Sequence, residues 1–205
     1  IRRQRQMCIR DRYGNTMHFV VTNLNDPIVS YDNRTNFVDK MIINPYSDRT
    51  CPCGRRGCVE SELTPSATMS KLKEVFSAEK TPFLYEAARG SFENVNQDMI
   101  TMAYEKDDKA VKEILNGELT LLAVLLNNLY FSTNPQKIVL HQFKFQNEKA
   151  FQKLKDAVTE IGGALVSSKI ELSIIEDKHR FLSGCALAIR ELFFNRGGFD
   201  TSSNN

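Results

Sequence analysis

Three cysteines lie within eight residues in the stretch CPCGRRGCVE, which covers residues 51–60. Thiolates are strong zinc ligands, and zinc prefers four donors arranged as a tetrahedron. Cys51, Cys53 and Cys58 supply three such donors. This spacing predicts a metal site, most simply a zinc site. The alternative is a tight loop of reduced thiols that holds no metal.

The residues between the cysteines suit a metal site. Gly54 and Gly57 let the backbone wrap closely around a small ion, because glycine adopts conformations that other residues avoid. Arg55 and Arg56 can offset the negative charge of several thiolates. The spacing does not supply a fourth ligand, so the candidates stay open: a water molecule, Asp39, His18, His141 or His179. Each histidine stands alone in the sequence, and a single histidine is more often structural than a ligand.

The beginning of the chain matches a sequence of known artificial origin. Residues 2–12, RRQRQMCIRDR, agree with the translation of the adapter oligonucleotide used in transposon-based DNA sequencing. We interpret residues 1–12 as an adapter-derived artefact and assign no element to them. The alternative is a basic helical arm. On the adapter interpretation, the natural protein begins no later than Tyr13.

This interpretation changes what the charge of the chain implies. The 205 residues include 27 Lys and Arg and 25 Asp and Glu, which gives a net charge of +2. Without residues 1–12 the counts are 22 and 24, so the net charge becomes −2. The basic balance therefore gives no argument for direct nucleic-acid binding.

No uninterrupted apolar run reaches the length of a membrane span, so we expect no membrane association. Clustered cysteines, with Cys185 in an apolar run, favour a reducing compartment, and we expect a cytoplasmic protein.

The residues before the cysteines favour strands. The stretch MHFVVTNLNDPIVSYD, residues 17–32, has two β-rich runs with a predicted turn at residues 25–27. KMIINP, residues 40–45, is predicted as a third short strand that ends at a proline. Together these runs predict an antiparallel meander.

The residues after the cysteines favour helices. Thr64 followed by Pro65 is typical of a helix start, and a further helix is predicted over residues 94–105. A long helix begins after Asp107 or Asp108 and is stopped by Asn134 and Pro135. Its predicted apolar stripe consists of Val111, Ile114, Leu115, Leu119, Leu122, Leu126 and Leu129.

Strands and helices alternate in the last third of the chain. The pattern predicts a strand, a helix ending at glycine, a strand and a final helix, over residues 137–143, 147–162, 170–175 and 177–194. Such alternation implies parallel strand pairing and an α/β layer architecture. We expect one lobe over residues 13–196 and a disordered tail over residues 197–205. A meander followed by α/β units is consistent with one half of a ribonuclease-H-like fold.

The motif C-x-C-G-x-x-G-C-x-E, which ends at Glu60, resembles the zinc loop of the ROK family (repressors, open reading frames, sugar kinases). FVVTNLNDPIV, MIINP, NPQKIVL and LSGCALAI resemble other segments of that family in the same order, over residues 17–195. The resemblance implies the C-terminal lobe of an actin-like ATPase or hexokinase-type fold, a mixed sheet with flanking helices, with the N-terminal lobe missing. It also implies that Glu60 contacts a sugar; the alternative is a carboxylate at the surface or behind the metal ligands.

The chain departs from the family just before the cysteines. Family members generally carry E-x-G-H there, in which the Glu holds a sugar hydroxyl and the His is the fourth zinc ligand. Alignment on neighbouring residues places Phe37, Asp39 and Lys40 at the Glu, Gly and His of that motif. The carboxylate that holds the sugar hydroxyl and the imidazole that ligates zinc are therefore both absent, and a protonated lysine cannot ligate zinc.

A second departure concerns phosphate binding. Sugar kinases of the family carry glycines after the strand that follows asparagine-proline, because glycine lets backbone N–H groups approach a phosphate closely. Here His141, Gln142 and Phe143 fill those positions, and MHFVVT is equally poor in glycine. The family's catalytic Asp lies in the missing lobe. The sequence therefore identifies no catalytic and no nucleotide-binding residue.

The departures favour the effector-sensing lobe of a ROK-like transcriptional regulator of sugar metabolism without kinase activity. Its expected partners are a sugar or sugar-phosphate effector and a second copy in a homodimer, with DNA contacted only through a missing N-terminal domain. The alternatives are an ATP-dependent hexose or N-acetylhexosamine kinase, and a decayed ROK scaffold that senses nothing.

Overall fold

A five-stranded sheet forms one part of the molecule. The computed structural model describes the backbone of residues 5–11, 17–23 and 26–27, and then residues 38–141 and 148–173. The strands are β1 (Arg5–Asp11), β2 (Met17–Asn23), β3 (Asp26–Pro27), β4 (Lys137–His141) and β5 (Ile170–Leu172), in the spatial order β3-β2-β1-β4-β5. β1, β2 and β3 pair antiparallel, whereas β4 pairs parallel with both β1 and β5. The sheet is mixed, and the predicted parallel pairing of the last two strands is confirmed.

The middle strand of the sheet lies in the segment that we interpret as adapter-derived. The sequence analysis assigns no element to residues 1–12, whereas β1 pairs along its whole length with β2 and over Gln6–Arg10 with β4. Strand pairing uses backbone N–H and C=O groups, which nearly every sequence provides. A strand at this position therefore does not bear on the origin of the segment.

Two predictions for the residues before the cysteines are wrong. Asp26 and Pro27 belong to β3 rather than to a turn, and Pro27 is tolerated there because β3 is an edge strand. The strand predicted over residues 40–45 is absent. Ile42 instead makes a single antiparallel bridge to Cys58, because its partner is the short cysteine loop rather than another strand.

The helices follow the cysteines and are α1 (Val59–Leu63), α2 (Pro65–Val75), α3 (Pro82–Ala87), α4 (Gln97–Glu105), α5 (Lys109–Thr133) and α6 (Glu148–Ser167). Thr64 caps α2 as predicted: its hydroxyl accepts a hydrogen bond from the N–H of Ala67, and Pro65 is the first helical residue. α1 and α3 are short helices that the sequence analysis did not predict. α3 begins at a Thr81–Pro82 pair, the same signal that marks α2.

α5 forms the centre of the core. Most of the predicted stripe is buried, including Val111, Leu119 and Leu126, and the helix packs mainly against α6. It ends as predicted at Asn134, which takes the left-handed conformation before Pro135. α5 has the length and apolarity of a membrane-spanning helix, but 44% of its most apolar window is buried inside the protein, as in a core helix of a globular domain.

α6 carries a break where the sequence predicts a helix end. Gly163 has φ 81° and ψ 166°, outside the helical region, so the regular helix stops there and a short second segment continues to Ser167. The predicted final helix at 177–194 and the predicted tail at 197–205 lie outside the described residues, as do residues 142–143 of the predicted fourth strand.

Candidate metal centre

Backbone hydrogen bonds close the loop that carries the cysteines. The N–H groups of Ile43 and Asn44 donate to the carbonyl of Gly57, at 2.9 and 3.2 Å. Gly57 has φ +68°, and a Cβ built on it would lie 1.7 Å from the carbonyl oxygen of Asn44. Only glycine fits where these two segments meet. The sequence therefore fixes the closure of the loop through Gly57.

The loop brings the three predicted ligands together. The sulfur atoms of Cys51, Cys53 and Cys58 all lie within 4.8 Å of one another, and those of Cys53 and Cys58 are 3.7 Å apart. Cys51 and Cys58 are buried, whereas Cys53 is exposed. Three converging sulfurs, one of them exposed, could supply three of the four ligands of a tetrahedral metal site.

No fourth protein ligand joins this group within the part of the chain whose side chains are described. Asp39 is buried but does not belong to the group. The side chains of His18 and His141, and the whole of His179, lie outside the described residues. The donor set fits zinc with three thiolates and one position for water or another small ligand.

An ion pair lies beside the cluster. The ammonium group of Lys40 bonds to Oε2 of Glu60, and the Cys51 sulfur lies 3.1 Å from the same oxygen, to which it donates a hydrogen bond. Lys40 therefore lies next to the sulfurs, where it has no lone pair to offer a metal but carries a compensating positive charge. The sequence predicted that Lys40 is unsuitable as a ligand; its pairing with Glu60 was not predicted.

Charge and burial set the protonation of this pair. The hydrogen bond from Lys40 lowers the pKa of the Glu60 carboxyl below its ordinary value, and the hydrogen bond to Glu60 raises the pKa of Lys40. Both groups are therefore charged at neutral pH. Oε2 of Glu60 is already occupied, so any contact with a sugar would use its other oxygen or displace the pair.

The three thiols differ in acidity in the metal-free loop. Burial raises the pKa of Cys51 to about 12, and its bond to Glu60 acts in the same direction. Burial also raises the pKa of Cys58. In contrast, the backbone N–H of Arg55, helped by its guanidinium group, lowers the pKa of Cys53 to about 6. The predicted role of Arg55 in offsetting thiolate charge is therefore supported.

A buried charged network holds α1 in place behind the cluster. The ammonium group of Lys71 bonds to the carbonyl of Glu62 at 2.7 Å and lies 3.2 Å from Oε1 of Glu118. Thr68 also donates to the Glu118 carboxylate, at 2.8 Å. This network joins α1, α2 and α5, and α1 carries Glu60 at its start. The sequence analysis missed it because its members are far apart along the chain and belong to no motif.

Comparison with known proteins agrees with the cysteine motif. The sequence model of the ROK family matches residues 39–179. No curated protein sequence matches the chain significantly. Among solved structures, the ROK hexokinase of Thermus thermophilus superimposes with a TM-score of 0.67 at 11% identity, covering 93% of this chain and 59% of the hexokinase.

Both enzymes and a regulator share this fold. A ROK family glucokinase from Streptomyces griseus, solved with glucose and AMPPNP, gives a TM-score of 0.56 at 14% identity, covering 78% of this chain and 50% of the glucokinase. A ROK family transcriptional regulator, a homologue of the E. coli Mlc protein, gives 0.58 at 14% identity, covering 82% of this chain and 41% of the regulator. The chain thus spans less than two thirds of the length of each of these three proteins.

The cysteine loop, the mixed sheet with its flanking helices and the matched sequence region lead to one assignment. The fold is that of an actin-like ATPase or hexokinase-type lobe, and the chain belongs to the ROK family.

Proposed function

We propose that this chain is part of the effector-sensing lobe of a transcriptional regulator of sugar metabolism and does not transfer phosphate. A sugar or sugar phosphate stabilises one arrangement of the lobe, and a cytoplasmic homodimer passes that preference to a DNA-binding domain outside this chain. Sensing needs only a difference in affinity between two states. It does not need the groups that a kinase uses to activate a hydroxyl and hold a nucleotide.

The observation that carries the proposal is the ion pair between Lys40 and Glu60. Lys40 occupies the position at which the family places a histidine, and it lies beside the cysteine cluster. Its ammonium group binds Glu60, the one carboxylate of this chain that still matches a sugar-contacting position of the family motifs. A kinase that had to hold its sugar rigidly for transfer would be weakened by this pairing, whereas a sensor with a looser pocket would tolerate it.

The residues after β4 also favour a lobe without nucleotide chemistry. β4 ends at His141, followed by Gln142 and Phe143, so no glycine is present to let backbone N–H groups reach a phosphate. Because kinases and a regulator share the fold, the choice between them depends on such residues rather than on the shape of the lobe.

We also propose that the cysteine cluster holds zinc in a structural role. Metal analysis of the purified chain should then find one zinc per chain. Replacing Cys58 with Ser should release it and increase hydrogen exchange over residues 44–64. The matched control is Cys185→Ser, which should retain the metal. Purified wild-type chain that takes up no zinc would refute this proposal.

Thermal stability in the presence of sugars tests the sensing function. A ligand at about 100 times its Kd stabilises the folded state by about 2.7 kcal/mol, so at least one sugar or sugar phosphate should raise the Tm clearly. Glu60→Gln should reduce that rise if Glu60 contacts the sugar. Glu74→Gln is the control, since Glu74 is exposed and pairs with Arg49 rather than with Lys40 or a cysteine. Absence of any shift, with the intact gene product as well as this chain, would favour a scaffold that senses nothing.

The second candidate is an ATP-dependent hexose or N-acetylhexosamine kinase, favoured by the resemblance to the hexokinase and glucokinase. A coupled assay for ADP, run on the intact gene product with each stabilising sugar, separates the two. The sensor should form no ADP above background. Sugar-dependent ADP formation would overturn the regulator proposal.

The gene sequence upstream of the Tyr13 codon gives an independent test. A regulator should encode a helix-turn-helix domain before a lobe that lacks a catalytic aspartate. A phosphate-binding glycine turn and a catalytic aspartate, without a DNA-binding domain, would instead support the kinase. The same reading tests the adapter interpretation, because the natural codons should not encode RRQRQMCIRDR.

A further inference from the structure

The three sulfurs of the cysteine loop have unequal partners. The Cys51 sulfur donates a hydrogen bond to Glu60 at 3.1 Å, inside the protein. The sulfurs of Cys53 and Cys58 instead contact each other at 3.7 Å. Cys53 is exposed and Cys58 is fully buried. One sulfur is therefore occupied by a carboxylate, and the other two form a pair that solvent reaches from one side.

We propose that Cys53 and Cys58 are a dithiol pair that a hydroperoxide oxidises to a disulfide when no metal holds them. An S–S bond is about 2.05 Å long, so the two sulfurs must approach each other by less than 2 Å. Gly54 follows Cys53, and a Cβ added to it would meet nothing within 4 Å, so the backbone has room to move on that side. Cys58 stays in place because it bridges Ile42 and precedes α1.

The competing pairs are less suited to a disulfide. Only Pro52 separates Cys51 from Cys53, and the fixed φ of proline restricts how far the two side chains can turn toward each other. A bond between Cys51 and Cys58 would require Cys51 to give up its hydrogen bond to Glu60. In addition, solvent reaches neither of these two sulfurs easily, since both residues are buried.

The reaction balances with a hydroperoxide as the only oxidant. The exposed sulfur of Cys53 attacks one peroxide oxygen, the O–O bond breaks, and a sulfenic acid forms while water leaves. The sulfur of Cys58 then attacks the sulfenic sulfur, the S–O bond breaks, and the departing hydroxide takes the thiol proton as a second water. Two thiols and one hydrogen peroxide thus give one disulfide and two waters, and the two sulfurs together lose two electrons.

Metal binding and oxidation exclude each other in this loop. The disulfide would use two of the three donors and leave Cys51 as a single ligand, which is too few to hold zinc. The proposed pair therefore makes metal uptake by the empty loop sensitive to peroxide. This proposal does not depend on whether the lobe senses a sugar.

Peptide mapping after peroxide treatment tests the proposal. Metal-stripped chain with Cys8→Ser and Cys185→Ser is treated with hydrogen peroxide, and the remaining thiols are then alkylated. We expect a loss of about 2 Da, the mass of two hydrogens, with a single alkylated cysteine. Trypsin cuts after Arg55 and Arg56, so the disulfide should join the peptide of residues 50–55 to that of residues 57–71.

Fragmentation of the linked peptides identifies the sulfur used. Cleavage before Pro52 separates Cys51 from Cys53, and the link should lie on Cys53 with Cys51 alkylated. Cys51→Ser is the matched variant and should still form the bond, whereas Cys53→Ser and Cys58→Ser should not. A disulfide that contains Cys51 as the main product, or sulfinic acid at Cys53 without a disulfide, would overturn the proposal. The wild-type mapping decides this even if a variant fails to fold.

Discussion

The cysteine loop and the α5–α6 core are stabilised by different forces. The loop depends on backbone hydrogen bonds to Gly57, the ion pair of Lys40 and Glu60, and three sulfurs suited to a metal. The core depends on apolar burial along α5, where Leu119 and Leu126 have almost no exposed surface. The core should therefore stay folded without metal, while the loop should respond to metal, pH and oxidation. The buried network around Lys71 connects the two regions, because it links α1, which follows Cys58, to α2 and α5.

Replacing Lys71 with Met should give the largest loss of stability. Its ammonium group lies between the buried carboxylates of Glu62 and Glu118, and replacing it with an apolar side chain removes a cation that contacts both of them. Breaking a buried ion pair in this way costs about 3–5 kcal/mol. The measurement is the free energy of unfolding from urea denaturation.

The matched control for that prediction is Lys112→Met. Lys112 pairs with Asp107, but the pair is exposed, so its loss should cost less than about 1 kcal/mol. Equal losses in the two variants would mean that the buried network contributes no more to stability than an exposed ion pair. Adding Glu118→Gln to Lys71→Met should recover part of the loss, because it removes one of the two buried negative charges that Lys71 contacts.

Replacing Leu126 with Ala should destabilise the core without affecting the metal. Leu126 is fully buried on α5, and such a truncation costs about 2–5 kcal/mol because it leaves a cavity. Phe131→Ala is the control, since Phe131 is 69% exposed and its loss should change stability by no more than about 0.5 kcal/mol. Zinc content should equal that of the wild type in both variants. A reduced zinc content in Leu126→Ala would show that the two regions are not independent.

Metal affinity should rise with pH. Burial raises the pKa of Cys51 to about 12 and raises that of Cys58, so both thiols carry protons at neutral pH and must lose them to bind a metal. The pKa of Cys53 is lowered to about 6, so it is already a thiolate above that pH. Between pH 6.5 and 8, log K should therefore rise by about two per pH unit. Competition with a chelator measures the slope, and an affinity that is flat or falls over this range would contradict the assignment of these ligands.

Replacing Lys40 with His should give the smallest effect, a gain in zinc affinity of roughly tenfold, or about 1.4 kcal/mol. A neutral imidazole at this position would supply the lone pair that the ammonium group lacks, close to the Cys51 sulfur, which bonds to the same Glu60 oxygen as Lys40. Lys112→His is the control, because it makes the same change in an ion pair away from the loop. An unchanged affinity in Lys40→His would mean that position 40 does not face the metal.

Local patterns predicted the elements whose signals lie within one or two turns of chain. The Thr64–Pro65 start of α2 and the Asn134–Pro135 end of α5 are confirmed, because caps and breakers act on adjacent residues. The strand predicted at residues 40–45 is wrong, because an apolar run becomes a strand only where a partner strand is available, and here the partner is the loop. α3 was missed although Thr81–Pro82 signals its start. Asp108 connects α3 with α5, because it lies at the start of α5 and its carboxylate accepts a hydrogen bond from the N–H of Leu84 in α3.

Ten consecutive residues were enough to predict three metal ligands and to suggest the family, because both depend on the spacing of Cys51, Cys53 and Cys58 with the intervening glycines. The pairing of Lys40 with Glu60 across 20 residues, and the exposure of Cys53 beside two buried cysteines, became visible in the folded chain alone. Both depend on which distant segments pack together, because packing sets loop closure and burial. Spacing along the chain specifies which atoms can meet, and packing specifies which of them are charged, protected or open to reaction.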